Sequence, residues 1–224
     1  MPMDCWKGNF VADENSGLDL LVCAATEPEL RAFGILREEV GQDGFLTGVG
    51  IPAALAQTLS VVGRLRPVRI LNIGIAGAYP DSGLAIGDIV VGTSEVYGDV
   101  GFELPEAPGF RHVGEAPWGT FYREPLALTV FPEFAGAAMG RGCTVNTCTG
   151  TEATGRLRER LFNAAFETME GAAVAQVGTV LKVPVCEIRA ISNIASDRDM
   201  RPENIRIALD ALTTCFQKFR KRAL

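Results

Sequence analysis

A chain of 224 residues, 47% hydrophobic and 21% charged, can bury one sizeable core, so a single domain is the expectation. Lys plus Arg number 21 and Asp plus Glu 27, a formal charge of −6 with the signs interspersed, which argues against a nucleic-acid or anionic-membrane surface. No run approaches ~18 unbroken apolar residues, which argues against a spanning helix, and the N-terminus has no apolar core of signal-peptide length.

In chain order, residues 1–17 are polar and read as a loosely attached extension, with 18–224 as the domain. "LDLLVCAA" (18–25) reads as a buried strand, and "PELRAFGIL" (28–36) as a helix opened by Pro28. A second strand at 43–50 precedes a helix at 51–65. "VRILNIGIAGA" (68–78) reads as a strand running into a Gly-rich turn, and 87–100 as a long β-rich stretch. Residues 101–120, dense in Gly and Pro, read as a loop that includes the single histidine, His112. A strand at 142–150, an apolar helix at 170–183, a strand at 184–192 and an amphipathic helix at 202–219 complete the pattern. Such alternation predicts an α/β fold with a largely parallel or mixed sheet. The six cysteines (Cys5, Cys23, Cys143, Cys148, Cys186 and Cys215) lack zinc-like spacing. Cys23 and Cys186 fall in apolar runs, where a reduced thiol behaves as a small hydrophobe. The expectation is a cytoplasmic protein with reduced thiols, no metal and no cofactor.

Open α/β sheets bind ligands beyond the carboxyl ends of their strands. Four segments meet that rule: "TEPE", "GIAGA", "NTCTG" and "SNIASD". Glu29 follows the first strand in an early helical turn, where a carboxylate is also simply favourable to the helix dipole. Glu170 enters a helix of small apolar residues, where a buried carboxylate needs donors; the two hydroxyls of a vicinal diol would supply them. In "GIAGA", Gly74 and Gly77 flank Ala76 and allow close backbone approach, although a tight turn explains them as well. Asn193 carries an amide where a carboxylate would be more usual. The outer purine edge carries N7, an acceptor, beside the C6 group, which is a donor in adenine and an acceptor in 6-oxopurines. An amide can turn its NH2 toward two acceptors, whereas a carboxylate is repelled by both. An amide can also read adenine, and an Asx-type turn onto its own backbone is the plain structural alternative.

Taken together, "VCAATEPEL", "NIGIAGA", "GDIVVGTSEVYGDVG", "NTCTGT", "ETMEGAA" and "EIRAISN" resemble the nucleoside phosphorylase and nucleosidase superfamily and, within it, the futalosine hydrolase family. The resemblance implies a three-layer α/β sandwich around a central mixed, twisted sheet. It implies N-glycosidic hydrolysis of a 6-oxopurine nucleoside, namely futalosine to dehypoxanthine futalosine and hypoxanthine in menaquinone biosynthesis. By the same resemblance Glu29 holds the attacking water and Glu170 binds the ribose hydroxyls, with Met169 against the sugar. Ala76 and Gly77 lie beside ribose and water, Thr149 and Gly150 edge the purine, and Asn193 binds the base. Adenine-specific relatives usually carry an aromatic residue where Thr149 falls, so Phe102, Phe121 and Phe166 are the candidates to stack on the base. The family also implies a homo-oligomer, and a nucleoside as the small-molecule partner.

Hydrolysis builds positive charge on the ribosyl ring and negative charge on the base. Glu170 would lend negative potential to the ring, Glu29 would accept the water's proton, and Asn193 would stabilise the leaving base as a preorganised dipole. Three rivals remain at this level. A purine nucleoside phosphorylase would need cationic groups at Glu29, near which Arg31 is the available one. A methylthioadenosine/S-adenosylhomocysteine nucleosidase would prefer Asp at 193. A non-catalytic nucleoside-binding module would have no use for a water-activating acid.

Overall fold

The computed structural model describes residues 18–35, 43–197 and 199–223, so the expected extension at 1–17 lies outside the described residues. Among the described residues, ten strands and five α-helices run in this order: β1 Leu20–Ala24, α1 Glu27–Phe33, β2 Gly44–Leu46, α2 Ile51–Leu65, β3 Arg69–Ala78, β4 Ile89–Tyr97, β5 Gly101–Glu103, β6 Phe110–His112, β7 Leu126–Ala127, β8 Ala138–Thr144, α3 Glu152–Phe162, β9 Phe166–Thr168, α4 Gly171–Leu181, β10 Val185–Ile194 and α5 Pro202–Ala223. The main sheet is mixed. β1 pairs in parallel with β2 and β3, β3 with β10, and β8 with β4 and β9; β10–β4 and β3–β9 are antiparallel. Because β10 also pairs with β3, the strands β3, β10, β4, β8 and β9 close into a ring.

Alternation along the strands sends apolar side chains to two opposite layers. Val22, Leu71, Ile73, Cys186 and Ile188 meet Leu30 and Phe33 of α1 and Ala208, Leu212 and Phe216 of α5. On the other face Leu21, Cys23, Ile70 and Val185 meet Val62 of α2 and Val174 and Val177 of α4. The expected sandwich is therefore present, with a helix pair on each side of the sheet.

Several local readings change. "GIAGA" is not a turn: β3 continues through it to Ala78, because β10 pairs with it as far as Ile194. Asn193 consequently lies inside a strand. The expected strand 142–150 ends at Thr144. Beyond it the Asp99 carboxylate accepts from the N–H groups of Asn146 (2.6 Å) and Thr147 (3.2 Å), taking donors a ladder would need. Within 101–120, β5 and β6 form a two-stranded ribbon. His112 is no solvated loop residue. Gly114 N–H donates to its Nδ1 (3.3 Å), which leaves the proton on Nε2 to donate to Tyr97 O (2.9 Å), and burial lowers its pKa.

Candidate active site

Glu29 sits on α1 directly after β1, and the loop geometry turns its carboxylate back toward the sheet. Oε2 accepts from Thr26 N–H (2.9 Å) and from Thr26 Oγ1 (2.6 Å), while Oε1 accepts from Ile75 N–H on β3 (2.9 Å). A carboxylate has about four lone-pair sites, so three are engaged and one on Oε1 stays open. That oxygen lies beside Gly74, where a Cβ would stand 2.7 Å from Glu29 Oε1 and would collide with Arg189 Nη1. Gly74 thus makes room for two side chains rather than for a ligand backbone contact.

Arg189 is paired with Gly74 in the β3–β10 register and is 1% exposed. Burial works against its charge, but the carboxylates of Glu187, Glu170 and Glu29 outweigh it and raise its pKa. Sequence reading passed over Arg189. Its signal was the pair Glu187 and Arg189 at i, i+2 in an otherwise apolar strand, a spacing that puts both on one face.

Glu170 ends the segment that links β9 to α4, and its Oε1 accepts from Gly50 N–H at the start of α2 (2.9 Å). Burial raises its pKa, with Glu29 adding to the rise; Arg189 and the Gly50 N–H pull the other way. Two acids 141 positions apart in the chain, Glu29 and Glu170, therefore both lie within electrostatic reach of Arg189. Met169, half-buried, lies beside Glu170.

Asn193 lies three residues along β3 from that cluster, paired with Gly77 after a bulge between Ile191 and Asn193. The bulge inserts Ser192, whose single hydroxyl proton is shared between Ala76 O (3.3 Å) and Asn193 Oδ1 (3.1 Å). Such an insertion re-aims the following side chain. Asn193 Nδ2 donates to Ile194 O (3.1 Å), the local backbone contact that the plain reading expected, and this uses one of its two N–H protons. A Cβ on Gly77 would stand 3.1 Å from Nδ2, so the glycine clears space for the amide. Ala76 is buried beside it.

Across Gly77 on the other side lies Glu167 of β9. Its carboxylate takes Thr149 N–H (2.7 Å) and Thr149 Oγ1 (2.5 Å), and Arg158 Nη1 reaches both Glu167 (2.9 Å) and Thr149 Oγ1 (2.8 Å). Thr149 is thereby fixed on the Gly77 row opposite Asn193, with Gly150 exposed next to it. Of the aromatic candidates, Phe166 is fully buried against Ala76, Ala78 and Ile191 and cannot stack on a base. Phe102 is 40% exposed on the β5–β6 ribbon, edge-on to Trp118, and Phe121 is edge-on to Tyr122. Their ring contacts are with Trp118 and Tyr122, and not with Glu29, Arg189 or Glu170. A separate surface depression, lined by Asp81, Thr93, Arg141 and Glu159, contains none of the expected site residues.

A mixed sheet with Glu29 and Arg189 converging on one row of β3 and a neutral amide three residues further along is the setting in which the chain's family can be stated. Residues 44–223 match the family model described as the phosphorylase superfamily, and the chain belongs to that family. It is 36% identical over 187 residues to a futalosine hydrolase from Streptomyces coelicolor, covering 80% of this chain and 78% of the relative. It is 26% identical over 202 residues to a 5'-methylthioadenosine/S-adenosylhomocysteine nucleosidase from Maridesulfovibrio salexigens, covering 84% and 85%. A solved futalosine hydrolase mutant from Helicobacter pylori superposes with a TM-score of 0.68 at 18% identity, over 92% of this chain and 99% of that one, a likeness of fold.

Proposed function

We propose that the protein hydrolyses the N-glycosidic bond of a 6-oxopurine nucleoside, releasing hypoxanthine from futalosine. The observation that carries this is the two-ended layout of the site. Glu29 and Arg189 converge on Gly74, with Glu170 within electrostatic reach of Arg189, and Asn193 and the Thr149–Glu167 pair lie on either side of Gly77. Three strand residues span about 10 Å at ~3.3 Å each, the scale of a nucleoside. The 36% identity to a futalosine hydrolase agrees with the substrate, against 26% for the nucleosidase.

Glu170 grips the 2′ and 3′ hydroxyls, with Met169 against the sugar. The open lone pair of Glu29 Oε1 takes a water proton as the oxygen attacks C1′. Arg189 places a positive charge near Glu170 that offsets part of the cost of burying that carboxylate. Asn193 offers its remaining N–H as one donor shared between N7 and O6 of the departing base, whose negative charge delocalises onto O6 until the base takes a proton from water. Ala76, Gly77, Thr149 and Gly150 edge the base and sugar, and Phe102 is the exposed ring assigned to stack on the base. A phosphorylase is disfavoured because Glu29 would repel phosphate. Arg31 is turned away on the surface, paired with Glu27 at 2.6 Å. A cytoplasmic homo-oligomer belongs to the same reading, supported by unpaired thiols at Cys23, Cys143 and Cys186 and exposed rings at Phe102, Trp118 and Phe121.

The test is to incubate the protein with futalosine, inosine and methylthioadenosine and follow free base by chromatography. Hypoxanthine from futalosine at the highest kcat/KM is expected. Faster adenine release from methylthioadenosine would replace this reading with the adenine-specific one.

A further inference from the structure

Behind Arg189 lies a second pair of carboxyls that the mechanism above does not use. Glu187 and Glu95 are both completely buried. Glu187 Oε1 accepts from Arg189 Nε (2.9 Å), stands 2.8 Å from Nη2 and is approached by Asn72 Nδ2 at 3.4 Å. Glu95 accepts from Thr144 Oγ1 (2.8 Å) and Thr168 Oγ1 (3.3 Å). Each strand of the closed ring thus gives a polar side chain to one network: Asn72 from β3, Glu187 and Arg189 from β10, Glu95 from β4, Thr144 from β8 and Thr168 from β9. Glycines make the space. A Cβ on Gly171 would stand 2.6 Å from Glu187 Oε1 and collide with Glu95 Oε1, and one on Gly92 would stand 2.8 Å from Glu187 Oε2.

The charges do not balance if every group is ionised. Glu187, Glu95, Glu170 and Glu29 face one guanidinium, and Glu187 Oε2 has no donor among the ionised groups around it. A proton on Glu95 removes one of the negative charges, and its O–H faces Glu187 across the gap that Gly171 leaves open. Burial, reinforced by Glu187, raises the Glu95 pKa well above the carboxylate range, in the direction this requires. As a stabilising device alone the cluster is poor, because apolar replacements of buried ion networks are often neutral or better.

We propose that Glu187 is a positioning residue: it holds Arg189 through the Nε–H bond so that Nη1 is directed to the Gly74 row where Glu29 Oε1 also lies, and the protonated Glu95 backs Glu187 from the far side. The proposal rests on the hydrolytic reading of Glu29. Its effect on rate runs through geometry, where small misplacements are costly.

The experiment measures kcat, KM and Tm for futalosine hydrolysis in E187Q, R189M, E187Q/R189M, E95Q and E95L. E187Q should lose roughly 10- to 100-fold in kcat with little change in KM, and should lose nothing further in the R189M background. A folded E187Q with wild-type kcat, or the same loss with and without Arg189, overturns the proposal. If E187Q does not fold, the decision passes to Glu95. E95Q keeps an N–H donor and should retain about tenfold or more kcat over E95L, by the cost of misplacement; equal kcat values overturn it. A wild-type enzyme that releases no hypoxanthine instead refutes the reaction assignment. Crystal structures of wild type and E187Q then decide the positioning claim: Nη1 displaced from Glu29 supports it, and an unmoved Nη1 overturns it.

Discussion

Glu29 holds one lone pair in reserve on the oxygen nearest Arg189. Its replacement by Gln keeps the size and removes the base, so E29Q should lose roughly 10²- to 10⁴-fold in kcat while Tm stays within a few degrees. A variant with wild-type kcat would remove Glu29 from the reaction. Asn193 is the specificity residue of the account. N193D places a carboxylate against N7 and O6, so hypoxanthine release should collapse and adenine release from adenosine-type nucleosides should rise, as read by base release on both substrates. Full activity on the 6-oxo substrate would show that the amide does not read the base. Both residues were visible in the sequence, since a polar group at the end of an apolar run marks a site. Arg189 was not, because a cation inside "CEIRAIS" becomes meaningful only once β3 lays Gly74 beside it.

At the scale of elements, β3 and β10 build the site between them. Their parallel pairing carries the Gly-rich segment on as strand, and the bulge at Ser192 sets the direction of Asn193. Local composition suggested a turn because glycine is permissive, whereas here its lack of a side chain is what matters. Gly74→Ala would drive a methyl into Arg189 and Glu29. The expected result is about 1–3 kcal/mol of lost stability together with loss of hydrolysis, by thermal melt and base-release assay. An unchanged Tm would mean that the two side chains can part freely. Helix α3 illustrates the opposite difficulty. Only Gly155 and Phe162 of "EATGRLRERLF" are buried, so its apolar stripe is too thin to read, and the helix is instead secured by Thr151 accepting from Thr154 N–H (3.2 Å).

For the molecule as a whole, closing five strands into a ring encloses a polar network where an apolar filling would be usual. Ring closure was not legible, since it depends on β10 meeting both β3 and β4 across long sequence separations; the α/β class was, from strand–helix alternation, and the layered sandwich followed from the family resemblance. The enclosed proton has a consequence for stability. Unfolded, Glu95 would titrate near 4.3. Folded, facing Glu187, Arg189, Thr144 and Thr168, it keeps its proton to higher pH because burial raises its pKa. The folded state then binds more protons above that value, so this contribution to stability falls as pH rises. E95Q should flatten the wild-type decline above about pH 5, measured by denaturant unfolding across pH. An unchanged slope would place the proton elsewhere.

The most direct measurement is hydrolysis of futalosine in phosphate-free, ¹⁸O-enriched water, with mass spectrometry of both products. The account predicts hypoxanthine without the label and a sugar product carrying one ¹⁸O at the anomeric carbon. Turnover only after phosphate is added, with a sugar phosphate as product, would contradict it.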